Sequence, residues 1–305
     1  MSSGHIFDIM RYSLHDGPGI RTTIFFSGCS CSCSWCHNPE SQPMKGRLEY
    51  YPSRCIACAA CNKACGNNAI SLTPTGIEID YSSCSACGKC IHTCYAEALV
   101  LKGRQYTVTE VMRQILADRS YYEESGGGVT LSGGEPLLQQ EFALELLCAC
   151  KEEGLHTVLQ TAGNYSFDLL LPLLPYLDMV MYDLKAISPD IYSAHIHGDR
   201  EQMLANLVQL DSITSGNLIV RTPCIGSVND NQTEMEKILS FLQSMKNLHY
   251  FQLIPYHSLA KVKYLALGLG FEDTFYAPKA EVIESLQDIM RGKIPLFSYR
   301  DGVTI

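Results

Sequence analysis

The 305-residue sequence has no long hydrophobic run and no excess of basic residues. No apolar run approaches the roughly 20 residues that a membrane-spanning helix needs, so no membrane span is expected. Lysine and arginine number 23 against 32 acidic residues, and the net charge of −9 argues against a nucleic-acid or membrane-surface partner. Residues 1–9 lack the basic region and apolar core of a secretion signal, so we expect a cytoplasmic protein.

Cysteine is the residue that the chain has in excess. It has fifteen cysteines, and twelve of them fall between Cys29 and Cys94. Without a secretion signal a disulfide framework is not expected, and metal or cluster binding is favoured. The three remaining cysteines, Cys148, Cys150 and Cys224, are predicted to be small buried apolar residues.

Three cysteines follow the apolar segment Thr-Thr-Ile-Phe-Phe, which predicts a buried strand. Cys29, Cys33 and Cys36 have the spacing C-x3-C-x2-C on a loop at the carboxyl end of that strand, where α/β enzymes place their chemistry. Three thiolates there can hold three irons of a 4Fe–4S cluster and leave the fourth iron without a protein ligand. A closed zinc site, with Cys31 or His37 as the fourth ligand, is an alternative that the spacing alone leaves open.

Eight further cysteines form two runs that repeat after 29 residues, from position 55 to position 84. Each run has the spacing C-x2-C-x2-C-x3-C of bacterial two-cluster ferredoxins, in which the fourth cysteine ligates the other cluster. The proline that usually follows the fourth cysteine is replaced by Gly66 and Tyr95, which removes no ligand. Two 4Fe–4S clusters are therefore predicted, one held by Cys55, Cys58, Cys61 and Cys94 and the other by Cys84, Cys87, Cys90 and Cys65.

Strands and helices alternate along the rest of the chain. Apolar runs predict six strands near residues 22, 129, 156, 179, 218 and 251. Helical patterns are predicted at residues 108–118, 139–153, 166–176, 200–213, 231–245 and 279–291. This alternation predicts an α/β protein with a parallel sheet and right-handed crossovers.

Several motifs together resemble one family. The cysteine loop, with an aromatic residue before its last cysteine, is similar to the cluster loop of radical S-adenosylmethionine (SAM) enzymes. Residues 16–21 (DGPGIR) and 37–41 (HNPES) resemble the activating enzymes of glycyl radical enzymes, among them the activases of pyruvate formate-lyase and glycerol dehydratase. The similarity runs through almost the whole chain.

The resemblance implies a partial (β/α)6 radical SAM barrel, formed by residues 1–50 and 102–305, with an inserted α+β ferredoxin-like domain at residues 51–101. It implies SAM and three 4Fe–4S clusters as cofactors. One electron would cleave SAM to methionine and a 5′-deoxyadenosyl radical, which abstracts a Cα hydrogen from a glycine of a partner glycyl radical enzyme. No side chain need then act as acid or base, and the sequence offers no evident triad or carboxylate pair. A radical SAM enzyme acting on a small molecule or peptide, or a ferredoxin-type electron carrier, are the alternatives.

The resemblance also implies which residues contact the cofactor and the partners. Burying the charges of Asp183 and Lys185 at a strand end costs several kcal/mol of free energy, unless the two side chains pair with each other or bind a ligand. A structural salt bridge between them is therefore the alternative to a role in binding the cofactor. A flavodoxin or ferredoxin is expected as electron donor, and the inserted domain as the relay. The partner's glycine loop is expected at Asp16, Gly17, Pro18 and Gly19. The implied cofactor contacts are Trp35, Cys36, His37, Gly133, Gly134, Glu135, Asp183, Leu184, Lys185, Arg221 and His257.

Overall fold

The computed structural model describes residues 2–297. Within that range the strands are β1 (Ser3–Ser13), β2 (Arg21–Phe26), β3 (Arg47–Tyr50), β4 (Ile70–Thr73), β5 (Gly76–Ile79), β6 (Leu99–Lys102), β7 (Arg104–Thr107), β8 (Gly128–Gly133), β9 (His156–Thr161), β10 (Met179–Asp183), β11 (Leu218–Cys224) and β12 (Leu248–Pro255). The α-helices are α1 (Ala60–Ala64), α2 (Val108–Leu116), α3 (Arg119–Ser125), α4 (Gln140–Glu152), α5 (Pro189–Ile191), α6 (Arg200–Ile213), α7 (Gln232–Leu242), α8 (Lys261–Ala266) and α9 (Ala280–Met290).

One eight-stranded sheet organises the molecule, in the order β12-β11-β10-β9-β8-β2-β1-β7. The six strands from β2 to β12 in this sheet are parallel and follow one another in chain order. Strands β1 and β7 extend the sheet in antiparallel pairing on the other side of β2. The six predicted strands are confirmed, and because they are parallel their carboxyl ends lie side by side at one end of the sheet.

Both faces of the parallel strands are buried, which explains their almost continuously apolar sequences. Leu131 and Leu159 are fully buried in the main core beneath the helices, together with Leu146 of α4. Residues that alternate with them, such as Val158 and Met181, form a separate small apolar cluster on the opposite face. The helices therefore cover one face, and the opposite face is closed by this small cluster and opens into a cavity only near the carboxyl ends of the strands.

The helix at residues 166–176 differs from expectation. Phe167–Leu169 and Leu171–Tyr176 are two short 3-10 helices instead of one α-helix. Pro172 and Pro175 each lack the backbone N–H that an α-helix interior requires, so the regular hydrogen-bond ladder cannot form. No helix within residues 2–297 has the length and apolar character needed to cross a bilayer.

Residues 47–102 form a small unit beside the large sheet. Strands β3 and β6 pair in antiparallel fashion where the chain enters and leaves this unit, and β4 pairs with β5 in a separate hairpin. Neither two-stranded ladder was predicted, because their strands are only four residues long. The predicted domain boundaries at residues 51 and 101 fall within or beside the β3–β6 ladder, and the division into two domains stays a prediction.

Candidate functional site

The cysteine loop follows β2 and is held from three sides. The backbone N–H of Cys29 donates to the carbonyl of Gln42 at 3.2 Å, and that of Ser34 to the carbonyl of His195 at 2.8 Å. The side-chain amide of Asn164 donates to another carbonyl of the loop at 2.8 Å. These partners come from distant parts of the chain, so the tertiary fold fixes the loop's conformation.

The loop opens onto a cavity of about 1070 Å³, counting its open mouth, at the carboxyl ends of the parallel strands. A space of this size can hold a ligand considerably larger than a single ion. It is lined by Cys29, Cys31, Cys33, Trp35, Cys36, His37, Asn38, Ser41, Ser132, Gly133, Gly134, Gln160, Thr161, Ala162, Asp183, Lys185, Arg221, Pro223, Ile225, Ile254, Pro255 and Tyr256.

The thiols of the loop differ in acidity. A hydrogen bond from the Cys31 thiol lowers the pKa of Cys29 to about 6 and also lowers the pKa of Cys33. Burial raises the pKa of Cys36 to about 12. The zinc alternative is not supported, because no three His, Cys, Asp or Glu side chains in residues 2–297 converge on a point where one ion could bind. A 4Fe–4S cluster is larger and binds each thiolate through a different iron, so its cysteines need not meet at one point.

Gly133 and Gly134 allow the end of β8 to lie against the end of β2. Gly133 has φ +108°, and a Cβ on Gly134 would lie 2.1 Å from the carbonyl oxygen of Gly28. The N–H of Gly134 donates to Phe26 at 2.8 Å. Only glycine can occupy these positions, because a larger side chain would clash with the end of β2. The backbone groups of both glycines therefore line the cavity without a side chain to cover them.

Glu135 does not line the cavity. Its side chain is buried, and its carboxylate accepts hydrogen bonds from the Thr161 hydroxyl at 2.8 Å and the Ala162 N–H at 3.2 Å. Burial raises the pKa of Glu135 to about 8. In this structure Glu135 ties the end of β8 to the end of β9, and the predicted contact with SAM is untested.

Asp183, Lys185 and Arg221 form a charged group on the cavity wall. The guanidinium of Arg221 donates to the Asp183 carboxylate at 3.1 Å, and Lys185 Nζ lies 3.5 Å from its other oxygen. Burial alone would raise the pKa of Asp183, but Arg221 and Lys185 outweigh it and lower that pKa below its usual value. The expected salt bridge therefore exists, and two cations and one carboxylate still face the cavity.

Aromatic residues complete the cavity. The rings of His37 and His257 are stacked with centroids 4.2 Å apart, and His257 itself is exposed outside the lining. Trp35 packs edge-to-face on Phe275. Tyr256 is 2% exposed, and among residues 2–297 its hydroxyl is one of the buried polar groups without a hydrogen-bond partner. A buried unpaired hydroxyl in a cavity wall indicates that a polar ligand belongs there.

Two further predicted positions lie away from the cavity. The side chain of Leu184 is 1% exposed and belongs to the main core, because its neighbours along the strand point the other way. The turn at residues 16–19 lies at the amino-terminal end of β2, opposite the cysteine loop. Buried Arg21 fixes it there by donating to the carbonyls of Pro18 at 2.9 Å and Val129 at 2.5 Å. Its role toward a partner stays a prediction.

The small unit contains two more cysteine cavities, each with about 350 Å³ of space. We call them the outer cavity and the inner cavity. Each combines three cysteines of one run with the fourth of the other run, which is the crossed arrangement predicted from the spacing. The outer cavity is lined by Cys55, Cys58, Cys61 and Cys94, and the inner cavity by Cys84, Cys87, Cys90 and Cys65.

The backbone repeats as well as the cysteines. Left-handed conformations recur 29 residues apart at Ala57 and Ala86 (φ +53° and +52°) and at Asn68 and Glu97 (+53° and +49°). Backbone N–H groups turn toward sulfur in the same register: Ala69 N lies 3.3 Å from Cys65 Sγ, and Ala98 N lies 3.3 Å from Cys94 Sγ. Such N–H···S contacts stabilise thiolates and tune the potential of iron–sulfur clusters. The donor sets of both cavities therefore fit 4Fe–4S clusters.

Some residues of the site were missed from the sequence. Tyr256 and Ile225 line the cavity, and the backbone of Tyr192–Ile196 supports the cysteine loop. Ser132 donates to the amide oxygen of Gln160 at 2.8 Å on the cavity floor. Ser132, Ile225 and Tyr256 lie at the carboxyl ends of strands, and that position was the only signal available for them. No signal was available for Tyr192–Ile196.

Comparison with known proteins identifies the family. The 4Fe-4S single cluster domain family matches residues 15–204. The chain is 37% identical to the (2S)-3-sulfopropanediol dehydratase activating enzyme of Klebsiella oxytoca, over 88% of this chain and 87% of that protein. It is 38% identical to the isethionate sulfite-lyase activating enzyme of Desulfovibrio desulfuricans, over 87% of this chain and 86% of that protein. The chain belongs to the glycyl-radical-enzyme activating enzymes.

As an activating enzyme of this kind, the protein is a radical SAM enzyme, and SAM and 4Fe–4S chemistry go with the family. A radical SAM methyltransferase from Sphaerobacter thermophilus shares the fold, with a TM-score of 0.53 and 17% identity, over 91% of this chain and 65% of that chain. Membership decides against the two alternatives of a small-molecule enzyme and an electron carrier.

Proposed function

We propose that this activating enzyme binds a 4Fe–4S cluster through Cys29, Cys33 and Cys36 and binds SAM beside it in the cavity. The observation that carries the proposal is that three thiols of one loop, charged side chains and glycine backbone all line one cavity. The bound pair supplies a 5′-deoxyadenosyl radical, which abstracts a Cα hydrogen from a glycine of the partner glycyl radical enzyme.

The protein's own residues hold and shield these groups. SAM carries a carboxylate and an ammonium group at one end. Lys185 and Arg221 suit the carboxylate, whereas the carbonyl groups around Gly133 and Gly134 suit the ammonium. Tyr256 and the stacked rings of His37 and His257 offer a surface for the adenosine part at the cavity's mouth.

The partner's glycine must reach the same cavity. The sheet is open because β12 and β7 are its edges, so a protein loop can enter beside β12. That the turn at residues 16–19 binds the partner's glycine loop stays a prediction from the sequence, because this turn lies at the amino-terminal end of β2 and does not line the cavity. Relatives of this chain are activating enzymes for partners as different as a sulfopropanediol dehydratase and an isethionate sulfite-lyase, so we propose the partner only as a glycyl radical enzyme.

Residues 51–101 are proposed to be a ferredoxin-like domain with two further 4Fe–4S clusters. The crossed cysteine sets and the repeated N–H···S contacts support this proposal. Reductive cleavage of SAM requires an electron of low potential, so we propose that this domain accepts it from a flavodoxin or ferredoxin.

One anaerobic experiment tests the proposal. The reconstituted protein is analysed for iron and sulfide, then incubated with dithionite and SAM and assayed for 5′-deoxyadenosine. About twelve irons per chain are expected, as three four-iron clusters require, together with 5′-deoxyadenosine. About eight irons and no 5′-deoxyadenosine would mean that the cysteine loop holds no competent cluster.

A further inference from the structure

The 29-residue repeat allows the two cavities of the small unit to be compared position by position. Ile56 near the outer cavity corresponds to Ser85 near the inner cavity, and Tyr95 after Cys94 corresponds to Gly66. The ligands and the left-handed turns are repeated, but these two surface positions are not. The symmetry is therefore broken at the solvent-facing rim of the cavities.

As a result, large apolar side chains are exposed beside the outer cavity but not at the corresponding positions of the inner cavity. Tyr95 is 95% exposed and Ile56 is 68% exposed, and Ile56 also lines the outer cavity. Ser85 and Gly66 leave the inner cavity without such side chains. Ile56 follows Cys55 and Tyr95 follows Cys94, so each stands next to a cysteine of the outer cavity. Exposed apolar side chains beside a binding site commonly mark a protein interaction surface. We call Ile56 and Tyr95 the outer patch.

The outer cavity is also the one farther from the large sheet. The β3–β6 ladder starts beside the cysteine loop, where a Cβ on Gly103 would lie 3.2 Å from Ser27 Oγ. Leu48, the second residue of β3, lines the inner cavity, whereas Tyr50 lines the outer cavity. Two residues of strand correspond to about 7 Å, so the inner cavity lies between the outer cavity and the SAM site.

Two hydrogen bonds between the small unit and the end of α8 agree with this order of the cavities. The hydroxyl of Tyr81 donates to the carbonyl of Ala266 at 3.2 Å, and Arg47 donates to the carbonyl of Leu267 at 3.3 Å. Tyr81 stands three residues before Cys84, a residue of the inner cavity. The inner cavity therefore faces the barrel, and the outer patch faces solvent.

We propose that the outer patch is the docking surface for a one-electron donor protein of low potential. The proposal rests on the proposed function, because the outer cavity must hold a 4Fe–4S cluster. In the transfer, a flavin hydroquinone of the donor would lose one electron, and a 4Fe–4S cluster held by Cys55, Cys58, Cys61 and Cys94 would gain it. An apolar aromatic contact suits a transient redox complex, since it brings the two centres close without a large interface.

The test compares reduction by a protein with reduction by a small molecule. Clusters in the reconstituted full-length protein are reduced either by flavodoxin hydroquinone or by dithionite, and their bleaching is followed by stopped-flow absorbance. The variants are Tyr95→Gly, which copies the residue of the inner cavity, and Tyr95→Phe, which keeps the ring. Leu72→Ser is the matched control, because Leu72 is 51% exposed on the same unit and lines neither cavity.

With flavodoxin we expect the second-order rate constant of Tyr95→Gly to fall about tenfold or more, as for loss of an aromatic anchor. Tyr95→Phe and Leu72→Ser should match the wild type, and dithionite should reduce Tyr95→Gly, Tyr95→Phe and Leu72→Ser as fast as the wild type. Equal flavodoxin rates for Tyr95→Gly and Leu72→Ser would overturn the proposal. So would a wild-type protein that dithionite reduces but neither flavodoxin nor ferredoxin does.

The design also separates this proposal from the proposed function. SAM cleavage driven by dithionite does not need the outer patch, so it tests the cysteine loop alone. If Tyr95→Gly instead keeps its flavodoxin rate but loses binding to a glycyl radical enzyme, the patch serves that partner and the donor assignment is wrong. Concentration-dependent self-association lost in Tyr95→Gly would likewise assign the patch to a second copy of the chain.

Discussion

Replacing Asp183 by Asn tests the charged group on the cavity wall. The carboxylate lies between two cations, 3.1 Å from Arg221 and 3.5 Å from Lys185. Removing one partner of a fully buried ion pair costs about 3–5 kcal/mol, because the remaining charge stays unpaired. Here the side chains of Asp183 and Lys185 retain 19% and 14% exposure, and Asn can still accept one hydrogen bond. We therefore expect a loss of about 2 kcal/mol.

This loss converts into a measurable melting shift. With about 2.1 cal/mol/K of unfolding entropy per residue, 305 residues give about 0.6 kcal/mol/K, so Tm should fall by about 3 °C. The measurement is anaerobic thermal unfolding of the reconstituted protein at one scan rate. Asp273→Asn is the matched control, since the Asp273–Lys261 pair is exposed and should change Tm by less than about 1 °C.

Equal shifts for Asp183→Asn and Asp273→Asn would refute this reasoning, because they would mean that solvent screens both pairs alike. An increase in Tm on Asp183→Asn would refute it more strongly. It would show that the two cations are stabilised by something other than this carboxylate.

Other predictions concern the ligands and the strand ends. The Cys65→Ala variant should lose about four irons, because Cys65 lines the inner cavity with Cys84, Cys87 and Cys90. Its electron paramagnetic resonance spectrum should change in the same way as that of Cys84→Ala. Different spectra for the two variants would contradict the crossed arrangement. Gly134→Ala should impair iron loading, because its Cβ would lie 2.1 Å from a carbonyl oxygen, whereas Gly270→Ala meets nothing within 4 Å and should load normally. Burial raises the pKa of Glu135 to about 8, so the folded state holds a proton that the unfolded state has lost above its pKa of 4.5. Wild type should therefore lose stability relative to Glu135→Gln as the pH rises from 6 to 8, and parallel Tm curves would contradict this.

Spacing and periodicity predicted much of this molecule from the sequence. The six parallel strands follow from short apolar runs, since a parallel sheet buries both faces of each strand. The cysteines that line each cavity of the small unit are the sets expected from the spacing, and their role as 4Fe–4S ligands stays a prediction. Helix α6 was predicted with its observed bounds, Arg200–Ile213, where Asp199 accepts a hydrogen bond from Gln202 N as N-cap.

The direction in which each side chain points at a strand end was harder to predict. Glu135 and Leu184 belong to motifs at the correct edge of the sheet, yet neither side chain lines the cavity. A shift of one residue along a strand turns a side chain to the other face, so a three-residue motif always contains positions that face away. A family motif therefore locates the cavity to within a few residues, and the structure is needed to separate side chains that line the cavity from those that support its wall.

The link between the small unit and the cysteine loop could not be predicted from one sequence. Lys263 of α8 donates to Asn38 at 2.7 Å and to Glu40 at 2.6 Å, across more than 220 residues of chain. The same helix ends at the carbonyl of Ala266, which accepts the hydroxyl of Tyr81 from the small unit. No local pattern encodes such contacts, because each partner alone reads as an ordinary surface residue. Helix α8 thus braces the inner cavity and the cysteine loop against each other, which holds fixed the separation across which an electron would have to pass.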